Sequence, residues 1–165
     1  MIAVSNTTPL RYLIAIDQEH LLGQLFEKVY VPAAVHAELN DARTQEKVRR
    51  RVFSLPAWFE VHTAQLISPT TFRVTLHRGE REAILLAESI QADVLLMDEQ
   101  TGRTIALDRS LPLSGTLGVL ERGDTIGLLS DFPPVLKQLK SSGFFIAESL
   151  EQQLLQRHRA RRGAQ

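Results

Sequence analysis

Short unbroken apolar runs alternate along this chain with longer segments whose apolar residues recur every three or four positions. Ile2–Ser5 is one such run, Val29-Tyr30-Val31 is β-branched and aromatic, and Val94-Leu95-Leu96-Met97 contains no polar residue. Successive side chains of a strand point to opposite faces, so four apolar positions in a row predict a strand buried on both sides. Phe59–His62 and residues 111–113 are further strand candidates, and Phe144-Phe145-Ile146 reads as an edge strand. The intervening segments predict helices over residues 7–14, 20–27, 33–39, 44–55, 78–89, 101–107, 117–122 and 132–141, with a last helix from Ser149. The stripe Ala83, Leu86, Ala87, Ile90 has the spacing of one buried helix face. Asn6-Thr7-Thr8-Pro9 reads as a helix start with an Asn or Thr cap and Pro in first position. Ser149 with Gln152 three residues on reads as a capping box.

Strand–helix alternation of this kind argues for a small, mainly parallel sheet covered by helices on both faces, a three-layer α/β/α architecture. The length of 165 residues suits one domain: residues 1–148 as its body, residues 149–165 as a C-terminal helix and basic tail of the same unit. There is no cysteine, which excludes disulfides and thiolate chemistry and fits a cytoplasmic protein. No leader-like segment and no apolar run near the roughly 20 residues of a membrane span is present, so no membrane partner is expected. The formal net charge is zero, so any polyanion binding must come from a local patch.

Two strand ends carry the candidate chemistry. Asn6 follows the first run and Asp98 follows the Val94 run. Ligands of open α/β sheets bind outside the carboxyl ends of the strands, so adjacent strands would turn both residues into one crevice. Glu38, on the helix after Pro32, and Glu80 or Glu82, at the start of the helix near residue 78, are acids able to close it. Acids gathered in one pocket repel each other unless a cation sits among them, and hard oxygen donors select Mg²⁺ or Mn²⁺. Such a site suits water activation and displacement at phosphorus. Glu80 and Glu82 are about 200° apart around a helix, so geometry leaves the choice between them open.

Five segments resemble, in order, those of PIN-domain proteins, particularly their toxin-like group: Val4-Ser5-Asn6-Thr7-Thr8-Pro9-Leu10, Val31 to Leu39, Gly79-Glu80-Arg81-Glu82-Ala83-Ile84, Leu95 to Glu99, and Gly115-Thr116-Leu117-Gly118-Val119-Leu120. The resemblance implies a divalent-metal-dependent ribonuclease fold, often the toxin of a toxin–antitoxin pair. Carried over by position, Asn6, Glu38, Glu82 and Asp98 are the catalytic, metal-binding quartet, RNA is the substrate, and a small antitoxin protein and a second copy of the chain are the expected partners. Glu80 is then left to the helix N-terminus. The family usually has Asp where this chain has Asn6. That exchange removes a charge and implies a lower metal affinity, so the alternative is a catalytically weakened module that binds RNA or a partner. A receiver-like domain phosphorylated at Asp98 ranks below both, for want of a strand-end lysine.

The remaining features are weaker. Lys47, Arg49, Arg50 and Arg51 form a basic run that is either a solvated face or a clamp on RNA phosphates. Arg157, Arg159, Arg161 and Arg162 read as a frayed soluble tail, with RNA or antitoxin contact as the alternative. His36, His62 and His77 lack metal-ligand spacing, and Trp58 reads as core or interface. A dimer face is expected from residues 21–26 and 117–120.

Overall fold

The computed structural model describes residues 1–63, 72 and 75–163. Five strands, β1 (Ile2–Ser5), β2 (Lys28–Pro32), β3 (Phe59–His62), β4 (Val94–Leu96) and β5 (Leu113–Ser114), form one sheet in the order β3-β2-β1-β4-β5. Every pairing is parallel, with Ala3 beside both Val29 and Val94. The chain therefore builds outward from β1 in one direction, then returns to its other side with β4. Nine helices are described: α1 (Thr7–Ala15), α2 (His20–Leu25), α3 (Ala33–Leu39), α4 (Glu46–Phe53), α5 (Arg78–Ser89), α6 (Gln100–Asp108), α7 (Thr116–Thr125), α8 (Phe132–Ser141) and α9 (Glu148–Gly163).

The apolar runs do what their composition requires. Alternate residues of β1 and β4 enter two separate cores. Ala3, Val94 and Leu96 join Leu10, Leu13, Val35, Leu120 and Phe132 on one side of the sheet. Val4, Leu95 and Met97 join Ala83, Ile84, Leu86, Ala87 and Ala106 on the other. The three-layer α/β/α arrangement with a small parallel sheet thus follows from strands that are apolar on both faces.

Several local expectations are corrected. Residues 144–146 form no strand: Phe144 packs edge-on against Tyr12 with ring centroids 4.9 Å apart, Ile146 is buried, and Phe145 is 86% exposed. Pro9 lies two residues inside α1, which begins at Thr7. The last helix begins at Glu148, one residue before the expected cap; Gln152 donates to Glu148 across 3.5 Å instead of closing a box with Ser149. Of the apolar residues expected to make a dimer face, Leu21, Leu22, Leu25, Phe26, Val119 and Leu120 are buried in the chain's own core and Leu117 is half-buried.

Three of the four C-terminal arginines are anchored. Arg157 pairs with Glu121 at 2.5 Å, Arg161 with Asp124 at 2.5 Å, and Arg162 donates to the Ser130 carbonyl. His158 is buried against the same Asp124, Nδ1 to Oδ1 at 2.9 Å. Burial opposes ionisation of Asp124, but the hydrogen bonds from Arg161 and His158 prevail and hold its carboxyl below the usual range. A frayed tail is therefore ruled out through Gly163; residues 164 and 165 lie outside the described part. In the basic run, Lys47, Arg50 and Arg51 pair with Asp17, Glu46 and Glu19, which uses much of its charge locally.

Candidate active site

Strand order makes the crevice. β1 and β4 are neighbours whose chains diverge after Ser5 and Leu96, the point at which an α/β sheet opens a binding cleft. The Asn6 backbone N–H donates to the Leu96 carbonyl at 2.9 Å, which pins the start of α1 to the end of β4. Asn6 and Asp98 consequently leave adjacent strand ends.

Asp98 is held by Thr116 at the start of α7. The Thr116 backbone N–H donates to Oδ1 at 2.8 Å and its hydroxyl donates to Oδ2 at 2.6 Å. Burial pushes the Asp98 carboxyl up, against the pull of both Thr116 bonds; Glu99 adds to the rise and Arg103 opposes it. Gly115 explains part of the Gly-Thr motif: a Cβ there would stand inside van der Waals contact of Asp98 Oδ1. Arg103 donates to the Met97 carbonyl at 2.7 Å and the Ser114 carbonyl at 3.2 Å, joining the ends of β4 and β5 beneath the acid.

Glu38 lies in the last turn of α3. Its Oε2 accepts a short hydrogen bond from the Thr7 hydroxyl, and its carboxyl lies over Gly79, where a Cβ would come within 2.5 Å of Oε1. Thr44 donates to the Glu38 carbonyl at 2.8 Å. The two glutamates of α5 separate by role. Glu80 closes a capping box with His77, whose N–H donates to Oε2 at 2.8 Å. Glu82 projects toward α3, where Oε2 accepts from the Ala34 N–H at 3.2 Å and Oε1 from Arg78 at 2.7 Å.

Asn6 is 2% exposed and stands at the N-cap of α1, yet its side chain caps nothing. Nδ2 donates to Glu99 Oε2 at 2.9 Å, and Oδ1 is buried with no partner among the described residues. An unpaired buried acceptor costs about 1–3 kcal/mol. Glu99, which sequence reasoning left unassigned, also accepts a short hydrogen bond from the Thr8 hydroxyl. The signal available was its place beside Asp98, but an acid before a helix reads first as a cap, and Glu99 caps nothing either.

The four expected residues are therefore distributed around the strand ends, each acid held by its own protein donor. Among the described residues, no three His, Asp or Glu side chains form a group able to hold a metal ion. The donor set still fits a hard divalent cation: carboxylate oxygens with free lone pairs, and one buried amide oxygen that nothing among the described residues satisfies.

A family model described as "DUF3368: PIN domain" matches residues 2–160. No curated protein matches the chain.

Proposed function

The chain belongs to the PIN-domain family, and from that premise we propose that it is a divalent-metal-dependent endoribonuclease. PIN domains are generally nucleases and typically use divalent metal ions. The observation that carries the reading is the unpaired, buried Asn6 Oδ1 at the β1–β4 strand ends, an acceptor left for a ligand. Asn6, Glu38, Glu82 and Asp98 would hold Mg²⁺ or Mn²⁺. When bound, such an ion supplies Lewis acidity: it eases deprotonation of a water and offsets charge developing on a phosphate.

The chain's own groups prepare that site. Thr116 fixes both oxygens of Asp98, Thr7 fixes Glu38, and the Ala34 N–H with Arg78 orients Glu82. Arg103 keeps the two strand ends that carry Asp98 and Thr116 together. Little of the constellation then has to move during the reaction, which is where electrostatic catalysis gains its effect. The toxin-like motifs add the reading that the enzyme acts against cellular RNA under the control of a small antitoxin protein. Growth arrest on expression, relieved by co-expression of the adjacent gene's product, is its expected signature.

The nuclease reading is tested with a fluorogenic RNA in Mg²⁺, Mn²⁺ or EDTA. Cleavage should need metal, and Asp98→Asn should lower it by about 100-fold or more. Cleavage that persists in EDTA, or that the variant matches, refutes the mechanism. A second reading draws on the internally satisfied acids and the uncharged Asn6: a PIN-fold module that binds RNA or a partner without cutting. RNA binding by the unmodified chain with no cleavage in either metal would favour it.

A further inference from the structure

Asn6 and Glu99 stand in matching places, at the N-caps of α1 and α6, both with extended backbone suited to capping. Neither side chain reaches its own helix. They meet each other instead, across 93 residues of sequence. An ionised carboxylate only accepts hydrogen bonds. The Asn6 NH₂ must therefore face Glu99, and Oδ1 must point away from it, to the position where it lies buried and unpartnered. The Thr8 hydroxyl holds the other oxygen of Glu99, so the carboxylate cannot swing off the amide without losing a second bond.

We infer that Glu99 is a positioning residue of the site: it aims the Asn6 carbonyl oxygen as a neutral ligand and carries the negative charge that the usual Asp would bring at position 6. The charge of the site is moved across one hydrogen bond rather than lost. This rests on the divalent-cation reading of the crevice. It also reverses the expected meaning of Asn6→Asp. That change repairs nothing; it sets a second carboxylate against one 2.9 Å away and destroys the bond between them. Replacing both residues, Asn6→Asp with Glu99→Gln, restores the bond with donor and acceptor exchanged and returns the charge to one.

The test is a double-mutant cycle on the full chain with two readouts. In EDTA, thermal unfolding should show Asn6→Asp lowered by about 4 °C or more, and the double variant recovering most of that loss. By calorimetric titration with Mn²⁺ alone, Glu99→Gln should bind about 10- to 100-fold more weakly than the unmodified protein, and the double variant should regain most of the difference. Additive effects in the cycle, or Mn²⁺ affinity indifferent to Glu99→Gln, overturn the inference while leaving a metal-binding crevice intact. Absence of Mn²⁺ binding by the unmodified chain overturns the metal reading itself, and the charge-carrying role of Glu99 falls with it; the metal-free unfolding data still report whether the two residues act as a pair.

Discussion

Thr116→Val isolates one interaction of the site. Thr116 is 0% exposed, and valine has nearly its shape, so the change removes a hydroxyl without opening a cavity. What is lost is the 2.6 Å bond to Asp98 Oδ2; the 2.8 Å backbone bond to Oδ1 stays. A hydrogen bond to an ionised group contributes about 2 kcal/mol. In a domain of this size that is about 6 °C in Tm. In an Asp98→Asn background the hydroxyl faces a neutral amide and the same change should cost only about 1 kcal/mol. Urea unfolding of the four proteins in EDTA measures the difference. The pH dependence has a definite sign. The Asp98 carboxyl is raised in the folded protein, chiefly by burial, so its stabilising effect is complete below the ordinary value of 3.8 and is lost as pH rises through the folded value. Removing the Thr116 hydroxyl raises that value further. The gap between Thr116→Val and the unmodified protein should therefore be smallest below pH 3.8 and reach its full size once both have ionised. Equal penalties with and without the Asp98 carboxylate, or a gap that widens in acid, would refute the role given to this bond.

The two site glycines should behave differently when replaced by alanine. At Gly115 the added methyl meets the short, anchored Asp98, so Gly115→Ala should cost about 2 kcal/mol in urea unfolding and suppress cleavage together. At Gly79 it meets the end of the longer Glu38 side chain, which a single Thr7 bond holds and which can yield, so Gly79→Ala should cost only about 1 kcal/mol. The displaced carboxylate should nevertheless lower the cleavage rate by about tenfold or more. Asp124→Asn leaves buried His158 facing no charge and Arg161 only the Glu121 carboxylate at 3.5 Å, and should destabilise the fold by about 3 kcal/mol at neutral pH. Because the Asp124 carboxyl is depressed, its contribution is present above 3.8 and lost as pH falls through the folded value, so the variant's stability should vary less in that acid range.

The layers of the fold were legible because β4 is apolar at every position and β1 at all but Ser5, so both could only be central. Boundaries were legible where a residue has one local solution, as at Pro32 before α3 or at the start of α5. The run 144–146 misled because its composition suits a strand, while Phe144, the first of its two aromatic residues, packs against Tyr12. The C-terminal arginines misled for a related reason: their acids, Glu121 and Asp124, lie on α7, and nothing local announces such partners. In the site, helix spacing alone left Glu80 and Glu82 equivalent; the resemblance favoured Glu82, and the capping box accounts for Glu80. Glu99 was hidden because its partner lies 93 residues away, near the start of the sequence.

The order of the strands also governs when a crevice can exist. β1 is complete by Ser5, but its neighbour β4 begins at Val94. Closing so long a loop is entropically costly, and such non-local pairings slow folding. A chain that has formed its helices and its β1–β2 pair still has no cleft, because one wall has not arrived. Whatever occupies the strand ends can therefore recognise only chains that have finished the sheet, and by mass action it draws the population toward them. A ligand at these strand ends would thus bind after the sheet is complete and stabilise the finished fold.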